Sequence, residues 1–351
     1  MTVAALTQHL GFALLLALLS AATVRAMIAW PILDHPNARS DHAHPTPRGG
    51  GLGIVLAFIL GMLVLFQRAE YARIAERPFL GVILAAVAIG GIGLLDDARD
   101  LSARLRLLAQ VAAALVAMGA GLVLTRLAIP YVGPVALGWV GPLLTLLWIV
   151  GCTNAVNFLD GLDGLVGGAL LIACAALAAI AAAEGGWFVY AAALFLAAGL
   201  AGFLPFNLPP ARIFLGDVGS QFLGFMLAVL AVAASRFDAS QVSFLIVPLL
   251  LFGLLWDAGF TLLRRAAMRQ PVGIGHRTHL YQMARRAGMP VAAVAAAHWG
   301  FALFHAALAV LFLHLVAAAK PLIVLPALAV QLGWTALVLR RMRQAGIGFR
   351  D

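Results

Sequence analysis

The sequence predicts an all-α, polytopic bundle of membrane-spanning helices, and three observations support this fold class. The 351 residues are 64% hydrophobic and 11% charged, with a mean hydropathy of +1.02, which is unlike a soluble domain. Apolar runs of roughly 17 to 25 residues recur along the chain, and each is long enough to cross a bilayer core of about 30 Å as a helix. These runs lack the alternation of polar and apolar residues that marks the strands of a membrane β-barrel.

We expect about ten or eleven spans in a single domain, residues 1–351, with the motif-bearing part at about 40–290. The apolar runs lie near residues 6–29, 50–67, 79–95, 107–124, 138–155, 166–183, 188–205, 218–235, 242–262, 291–317 and 321–339. No Lys or Arg precedes the first run, so the charged start of a cleavable signal peptide is missing. We therefore expect this run to remain as a span.

The distribution of basic residues predicts the orientation of the chain. Sixteen Lys and Arg follow the odd-numbered spans and six follow the even-numbered ones, so the positive-inside rule places the first set in the cytoplasm. The N-terminus is then outside and the C-terminus cytoplasmic. The net charge of +9 is concentrated in these loops and in the tail "RRMRQAGIGFR", which indicates anionic lipid rather than nucleic acid as the partner.

Five polar segments fall in the predicted cytoplasmic connections, and we expect them to share one face of the membrane. They are "SDHAHPTPRGGG" (40–51), "DDARDLSARLR" (96–106), "NAVNFLDGLDG" (154–164), "NLPPARIFLGDVGS" (207–220) and "HRTHLYQ" (276–282). The outer connections are short and plain. The exception is "IPYVGPVALG" (129–138), whose Pro, Gly and alternating apolar residues predict a small hairpin.

Two adjacent acids, Asp96 and Asp97, directly follow the apolar run "GVILAAVAIGGIGLL". The pair is held at the depth where hydrocarbon gives way to water. Because a carboxylate facing lipid is costly, acids at this depth usually face a polar cavity and mark a functional site. We therefore interpret the pair as part of such a site. A solvated helix cap is the alternative.

The segment "NAVNFLDGLDGL" places four polar side chains at a spacing of three residues. On a continuous helix they would form one stripe, which predicts a binding face rather than a packing contact; the four residues are Asn154, Asn157, Asp160 and Asp163. Gly161 would open the following turn to a close approach by a ligand. Interhelical hydrogen bonds made by the Asn side chains are the alternative interpretation.

A third acid, Asp217, lies between two glycines at the start of an apolar run, where helix N-terminal amides favour anions. Asp at this position is also a common helix N-cap, so both interpretations stay open. Asn207 and Arg212, on the same predicted face, supply an amide and a cation that suit a phosphorylated ligand.

The segment "HRTHLYQ" carries His276, Arg277 and His279 within four residues of the longest basic loop. Two His at this spacing suit a metal. Carboxylates from the other loops suit Mg²⁺ or Mn²⁺ better than imidazole does, so we expect the His and Arg to contact phosphate instead. Protonation of a His near neutral pH would help to neutralise a diphosphate.

Together these loops offer carboxylates, amides, Arg and His around one cavity at the membrane surface. Phosphoryl transfer needs a divalent metal to screen the phosphate oxygens, cations to hold the leaving group and a positioned nucleophile. The sequence therefore predicts a metal-dependent phosphoryl transferase with one lipid substrate. An ion-coupled transporter is a distant alternative, which charges near the midplane and inverted repeats would support.

The five segments, in this order, resemble the polyprenyl-phosphate N-acetylhexosamine-1-phosphate transferases, the MraY/WecA-like glycosyltransferase family 4. The resemblance implies transfer of a sugar 1-phosphate from a UDP-N-acetyl sugar to undecaprenyl phosphate, with release of UMP and a requirement for Mg²⁺, or Mn²⁺ in its place. It also implies a bacterial inner-membrane enzyme with a cytoplasmic active site that begins a lipid-linked cell-envelope glycan such as O-antigen. It leaves a homodimer open.

The resemblance also implies roles for individual residues. Asp96 and Asp97 resemble the acidic pair beside the lipid phosphate, one of them a base or, in a two-step scheme, a nucleophile. Asp217 resembles the principal Mg²⁺ ligand, and Arg48 resembles a residue of the family's first cytoplasmic loop. Donor-binding residues are implied at Asn154, Asn157, Asp160, Asp163 and Asn207, and diphosphate contacts at His276 and His279.

Two departures separate the chain from the peptidoglycan branch of this family. The acidic motif has Asp100 where that branch has Lys, and "HRTH" replaces a run of three His. Both departures favour the branch that initiates O-antigen and teichoic-acid synthesis, and "HRTHLYQ" most resembles the WbpL-type subgroup. Phospho-N-acetylmuramoyl-pentapeptide transfer, the MraY activity, is the alternative.

Overall fold

The computed structural model describes residues 2–34, 44–68, 76–129, 133–236, 242–271 and 276–349. These residues form helices and two short hairpins. The helices are α1 Val3–Ala29, α2 Gly51–Arg68, α3 Glu76–Arg99, α4 Ala103–Gly119, α5 Val140–Leu159, α6 Leu165–Ala183, α7 Trp187–Asn207, α8 Gly216–Ala234, α9 Ile246–Leu250, α10 Phe252–Ala267, α11 Leu280–Arg286, α12 Val291–His314 and α13 Val324–Gln344, with a 3-10 turn at Lys320–Ile323. The antiparallel hairpins pair β1 Ile32–Asp34 with β2 Thr46–Arg48, and β3 Arg126–Ile129 with β4 Gly133–Ala136.

The predicted all-α membrane bundle is confirmed, and the chain is a multi-pass membrane protein. Within the described ranges, eight helical segments are long and apolar enough to cross a membrane. They are α1, residues 79–99 of α3, α5, α6, α7, α8, α12 and the segment 320–344 that ends in α13. The remaining three predicted spans correspond to α2, to the 17-residue α4 and to the α9–α10 segment.

The predicted span at 242–262 is not one continuous helix. It divides at Leu251 into α9, with 5 residues, and α10, with 16. Along α10 the polar residues Asp257, Thr261 and Arg265 recur every four positions and are buried, whereas Leu262 and Leu263 are exposed. A polar stripe on one helix face therefore points into the protein and the apolar face points away from it.

Helix α8 lies at the centre of the bundle, with every residue from Val218 to Ala234 buried. Glycines let its neighbours approach closely, since a Cβ added at Gly93 of α3 would lie 2.6 Å from the Cα of Val218. Small residues at such crossings are typical of membrane helices, where close backbone packing supplies much of the attraction. The N-terminus of α8 is thereby fixed against the C-terminal end of α3.

The hairpin β1–β2 lies at the same end of the bundle. Its second strand contacts the loop before α8, because the N–H of Phe214 donates to the carbonyl of Pro47 at 2.8 Å. The start of α2 contacts the same loop, since the N–H of Gly51 donates to the carbonyl of Leu215 at 2.8 Å. The first polar segment is thus tied to the fourth. The hairpin predicted within residues 129–138 corresponds to β3 and β4, which span residues 126–136. Residues 130–132 of that segment lie outside the described residues.

Gly93→Ala should lower the free energy of unfolding by about 1–3 kcal/mol, the usual cost of overpacking, because the backbone of Val218 cannot move aside. Gly91→Ala is the matched control in the same helix, since no described atom lies within 4 Å of its added Cβ. Thermal unfolding of both variants in detergent measures the difference. Equal melting temperatures for the two variants would contradict the close α3–α8 packing.

Candidate active site

A cavity of about 450 Å³ lies where α3 and α5 end and α8 begins, and all five predicted polar segments contribute to it. The convergence predicted from the sequence is therefore confirmed in the geometry. Eight of the twelve predicted site residues line the cavity: Arg48, Asp97, Asn157, Asp160, Asp163, Asn207, Asp217 and Arg277. The other four, Asp96, Asn154, His276 and His279, are not among its lining residues.

Asp97 is the buried anchor of the site, at 1% exposure. Its Oδ1 accepts the backbone N–H of Asp217 at 2.9 Å and its Oδ2 accepts that of Val218 at 3.0 Å. The first turn of α8 is thus capped by a carboxylate from α3, which satisfies N–H groups that have no partner within their own helix. Gly216, at φ +76°, makes this contact possible, because a Cβ there would lie 2.6 Å from Oδ2 of Asp97.

The N-cap interpretation of Asp217 is wrong, because Asp97 performs that function and Asp217 lies inside the first turn. The Asp217 side chain is instead directed at neighbours. Its Oδ1 accepts Nδ2 of Asn157 at 2.6 Å and Nε2 of Gln221 at 3.1 Å, and Nη1 of Arg106 lies 3.8 Å away. A carboxylate at the cavity wall is therefore held in one orientation by donors from α4, α5 and α8.

Asp96 has a different environment from Asp97, although the two are adjacent in sequence. It is 2% exposed, accepts the N–H of Leu101 at 2.8 Å and lies 3.4 Å from Nη1 of Arg106. Nε2 of Gln221 lies 3.3 Å from its Oδ2. Asp96 thus lies behind the wall and holds Arg106, which does line the cavity.

Asn154 also lies behind the wall, in a chain of buried amides. Its Nδ2 donates to Oε1 of Gln110 at 2.6 Å, and Nε2 of Gln110 donates to Oε1 of Gln221 at 3.0 Å. Gln221 in turn donates to Asp96 and Asp217. The sequence analysis missed both glutamines, since each is a lone amide within an apolar run.

The predicted stripe from Asn154 to Asp163 is not continuous on a helix. Helix α5 ends at Leu159, so Asp160 and Asp163 lie in the turn that follows. Gly164, at φ +71°, completes this turn and starts α6. The last two acids reach the cavity from the turn rather than from a helix face.

The turn is tied to the loop before α8 by two of the predicted donor-binding residues. Asn207 accepts the N–H of Gly164 at 3.0 Å through Oδ1, and its Nδ2 donates to the carbonyl of Ile213 at 3.0 Å. Asp163 accepts the N–H of Ala211 at 2.9 Å. Both side chains line the cavity while also holding its shape. Arg212 is not among the lining residues; its guanidinium lies 5.5 Å from the ring centre of Phe206.

Acidic side chains crowd one wall of the cavity. Burial raises the pKa of Asp160 well above its usual range, and the negative charges of Asp217, Asp97 and Asp163 raise it further. Within the described residues, no three His, Cys, Asp or Glu side chains form a group that could hold a metal ion by themselves.

A basic part of the cavity wall comes from α11 and the residues before it. Arg277, Gln282, Arg285 and Arg286 line the cavity there, together with Tyr281. The sequence analysis identified only Arg277 among these. The spacing of four between Tyr281 and Arg285, repeated between Gln282 and Arg286, is the signal of a helix face that could have found the others.

The two predicted diphosphate-binding His lie away from the cavity lining. Nδ1 of His279 lies 3.1 Å from Oδ1 of Asp257, and Nδ1 of His276 accepts the N–H of Thr278 at 3.3 Å. Burial, helped by the positive neighbours His279, Arg265 and Arg264, lowers the pKa of His276 to about 4. This lowered pKa disfavours a protonated His276 near neutral pH.

Arg48 is held at the edge of the cavity by two acids. Its Nη2 donates to Oδ1 of Asp100 at 2.8 Å, and its Nη1 lies 3.7 Å from Oδ1 of Asp34. Asp100 is the residue that departs from the Lys of the peptidoglycan branch. In this chain it follows α3 at φ +49° and forms the ion pair with Arg48.

Fold and site together define a multi-pass membrane protein with a polar cavity of about 450 Å³ at one end of its helices. The sequence profile described as glycosyl transferase family 4 matches residues 79–235, which run from α3 to the end of α8. The chain is 32% identical over 253 residues to a Bacillus subtilis protein named "probable undecaprenyl-phosphate N-acetylglucosaminyl 1-phosphate transferase", covering 71% of this chain and 68% of the relative.

Two further relatives carry related names. The decaprenyl-phosphate N-acetylglucosaminephosphotransferase of Mycobacterium leprae is 36% identical over 222 residues, covering 60% of this chain and 55% of the relative. The phospho-N-acetylmuramoyl-pentapeptide-transferase of Lactobacillus gasseri is 36% identical over 204 residues, covering 54% and 62%. The chain belongs to glycosyl transferase family 4, as the resemblance implied.

His276→Asn should weaken the dependence of stability on pH between about pH 6.5 and pH 4. The folded-state pKa of about 4 lies below the value of about 6.5 for an unfolded His, so the unfolded chain takes up the proton first as the pH falls. Stability is therefore lost across this window in the wild type. Unfolding in detergent at a series of pH values measures the loss, and identical curves for variant and wild type would contradict the burial of His276.

Proposed function

We propose that this chain transfers an N-acetylhexosamine 1-phosphate from a UDP-sugar to a polyprenyl phosphate, undecaprenyl phosphate in a bacterium, and releases UMP. The observation that carries the proposal is the cavity with an acidic and an arginine wall at the end of a membrane bundle. The names of the relatives from Bacillus subtilis and Mycobacterium leprae agree with it. A polyprenyl tail would stay in the bilayer while its phosphate enters the cavity.

The reaction that we propose is a single in-line displacement. An oxygen of the lipid phosphate forms a bond to the β-phosphorus of the UDP-sugar while the bond from that phosphorus to the bridging oxygen breaks, and UMP leaves with the electron pair. The second pKa of a phosphate monoester is about 6, so the lipid phosphate is already mostly deprotonated at neutral pH. Orientation of the two phosphates then contributes more than removal of a proton.

Asp97 is the member of the acidic pair that we place beside the lipid phosphate, because Asp97 lines the cavity and Asp96 does not. Asp96 instead positions Arg106. Both oxygens of Asp97 already accept backbone N–H groups, which weakens the carboxylate as a nucleophile. This geometry favours the one-step route over a covalent phospho-enzyme. Arg277, Arg285 and Arg286 would neutralise the leaving UMP.

Mg²⁺, or Mn²⁺ in its place, is the cofactor that we propose, with Asp217 as its principal ligand. Among the described lining residues there are five Asp and five Arg, which balance when all are ionised: Asp34, Asp97, Asp160, Asp163, Asp217, Arg48, Arg106, Arg277, Arg285 and Arg286. A bound diphosphate and lipid phosphate would add uncompensated negative charge. Mg²⁺ commonly binds through one or two carboxylates together with substrate phosphates, which fits this donor set, and it would supply the missing positive charge.

The physiological role that we propose is the first committed step of a lipid-linked cell-envelope glycan, O-antigen or a related polymer, in the inner membrane. The basic loops favour a cytoplasmic cavity, on the side where UDP-sugars are made. Relatives named for N-acetylglucosamine phosphate transfer are similar over 60% or more of the chain, which favours that donor class. Phospho-N-acetylmuramoyl-pentapeptide transfer is the second candidate, supported by the relative from Lactobacillus gasseri.

The test is an in vitro assay with purified protein in detergent, undecaprenyl phosphate, Mg²⁺ and a panel of UDP-sugars. UMP release and a lipid-linked product are expected with a UDP-N-acetylhexosamine. Turnover with only the UDP-N-acetylmuramoyl pentapeptide would select the second candidate. Absence of UMP with every donor, from protein that is folded and monodisperse, would reject the proposed reaction.

Asp217→Asn should reduce transfer by at least about a hundredfold, because the carboxylate that we assign to the metal is lost. The amide can still accept from Asn157, so the variant should remain folded. Glu184→Gln, the same chemical change at the exposed C-cap of α6, is the matched control and should retain wild-type activity. Full activity of Asp217→Asn would remove Asp217 from the metal site.

A further inference from the structure

One buried acid of the described structure has no place in the proposed reaction. Asp257 of α10 is 1% exposed and is not among the residues that line the cavity. The sequence analysis assigned it nothing, because it is a single acid in a run read as a span. Burial of a carboxylate is costly unless hydrogen bonds satisfy it, so its partners indicate what it does.

Those partners are at the start of α11. Oδ1 of Asp257 accepts the N–H of Leu280 at 2.9 Å, and Oδ2 accepts the N–H of Tyr281 at 3.0 Å. Nδ1 of His279, the N-cap residue of α11, lies 3.1 Å from Oδ1. One carboxylate therefore holds the cap residue and the first two N–H groups of the helix, an arrangement that is favourable at a helix N-terminus.

Helix α11 depends on such an anchor because it has only 7 residues. Isolated helices shorter than about 12 residues are marginal in water, so the orientation of α11 must come from tertiary contacts. A second contact comes from the side chain of Tyr281, whose Oη donates to the carbonyl of Phe158 at 3.3 Å. A Cβ at Gly161 would meet the same Oη. The anchored helix is thus set against the turn that carries the acidic wall.

The side chains that α11 presents form the basic wall of the cavity. Arg285 and Arg286 lie in the helix, and Arg277 lies just before it. A rotation of the short helix about its axis would move the guanidinium groups of Arg285 and Arg286 together. Their position therefore depends on the two backbone bonds that Asp257 accepts.

We infer that Asp257 is a positioning residue: through its bonds to the first turn of α11 it holds the arginine wall toward the diphosphate of the UDP-sugar. The inference rests on the proposed function. Asp257 itself touches no substrate. It should therefore control the affinity for the anionic donor more than the affinity for the lipid phosphate.

Asp257→Asn tests the inference, because one carboxylate oxygen becomes an N–H donor and can no longer accept from the first turn of α11. We expect the KM for the UDP-sugar to rise about tenfold or more, with the KM for undecaprenyl phosphate changed less than about threefold. The kcat should fall as well, because the same arginines would neutralise the leaving UMP. Isothermal titration of the purified protein with UDP-N-acetylglucosamine should show the same weakening, and this second readout needs no turnover.

Thr261→Val is the matched control. Its hydroxyl lies 3.3 Å from the same Oδ1, so the variant removes one contact of Asp257 and leaves the bonds to α11 intact. The KM for the donor should stay at the wild-type value. Asp257→Glu keeps the charge and should restore part of the donor affinity lost in Asp257→Asn.

Three outcomes overturn the inference. The first is a folded Asp257→Asn with wild-type affinity for the donor. The second is an equal rise in both KM values that Thr261→Val reproduces, which indicates a general structural role. If Asp257→Asn does not fold, by size-exclusion profile and melting temperature, the third is a folded Asp257→Ala, which has no side-chain acceptor for α11, with unchanged donor affinity. A wild type that binds UDP-N-acetylglucosamine without releasing UMP rejects the proposed reaction, and the titration still tests Asp257.

Discussion

The contact between the Asp97 carboxylate and the first turn of α8 is the interaction on which the site depends. It crosses from α3 to α8 and satisfies two backbone N–H groups in a place where few water molecules could do so. Gly93 and Gly216 leave room for it. Because Asp97 caps the helix, the side chain of Asp217 is released from capping and can face the cavity.

The same type of contact, a buried carboxylate at a helix N-terminus, occurs at α11. Asp257 accepts two successive N–H groups of α11 just as Asp97 accepts two of α8. One buried acid thus fixes the helix that presents Asp217, and the other fixes the helix that presents Arg285 and Arg286. Buried acids of the transmembrane bundle therefore fix the two helices that carry the charged side chains of the cavity. The positions of these side chains do not depend on contacts among the charged groups alone.

The fold and the convergence of the loops could be predicted from the sequence, because in a chain this apolar each polar cluster is informative. The different roles of Asp96 and Asp97 could not, since adjacent residues share one local pattern and only the packing of α4 and α8 separates them. The prediction of one helical stripe from Asn154 to Asp163 was wrong because α5 ends at Leu159. Asp257 was missed because a lone acid in an apolar run gives no sign of the helix that it caps.

The charged lining of the cavity suits the ligands of the proposed reaction. Five Asp and five Arg lie among the described lining residues, so the formal charges of these side chains cancel only when all ten are ionised. A diphosphate alone would favour the arginine wall and be repelled by the acidic wall, and a divalent cation alone would have the opposite preference. In the proposed reaction the two bound together would satisfy both sets of charges, and each would then improve the affinity for the other. The elevated pKa of Asp160 fits this arrangement, since a cation at the acidic wall would relieve the repulsion that raises it.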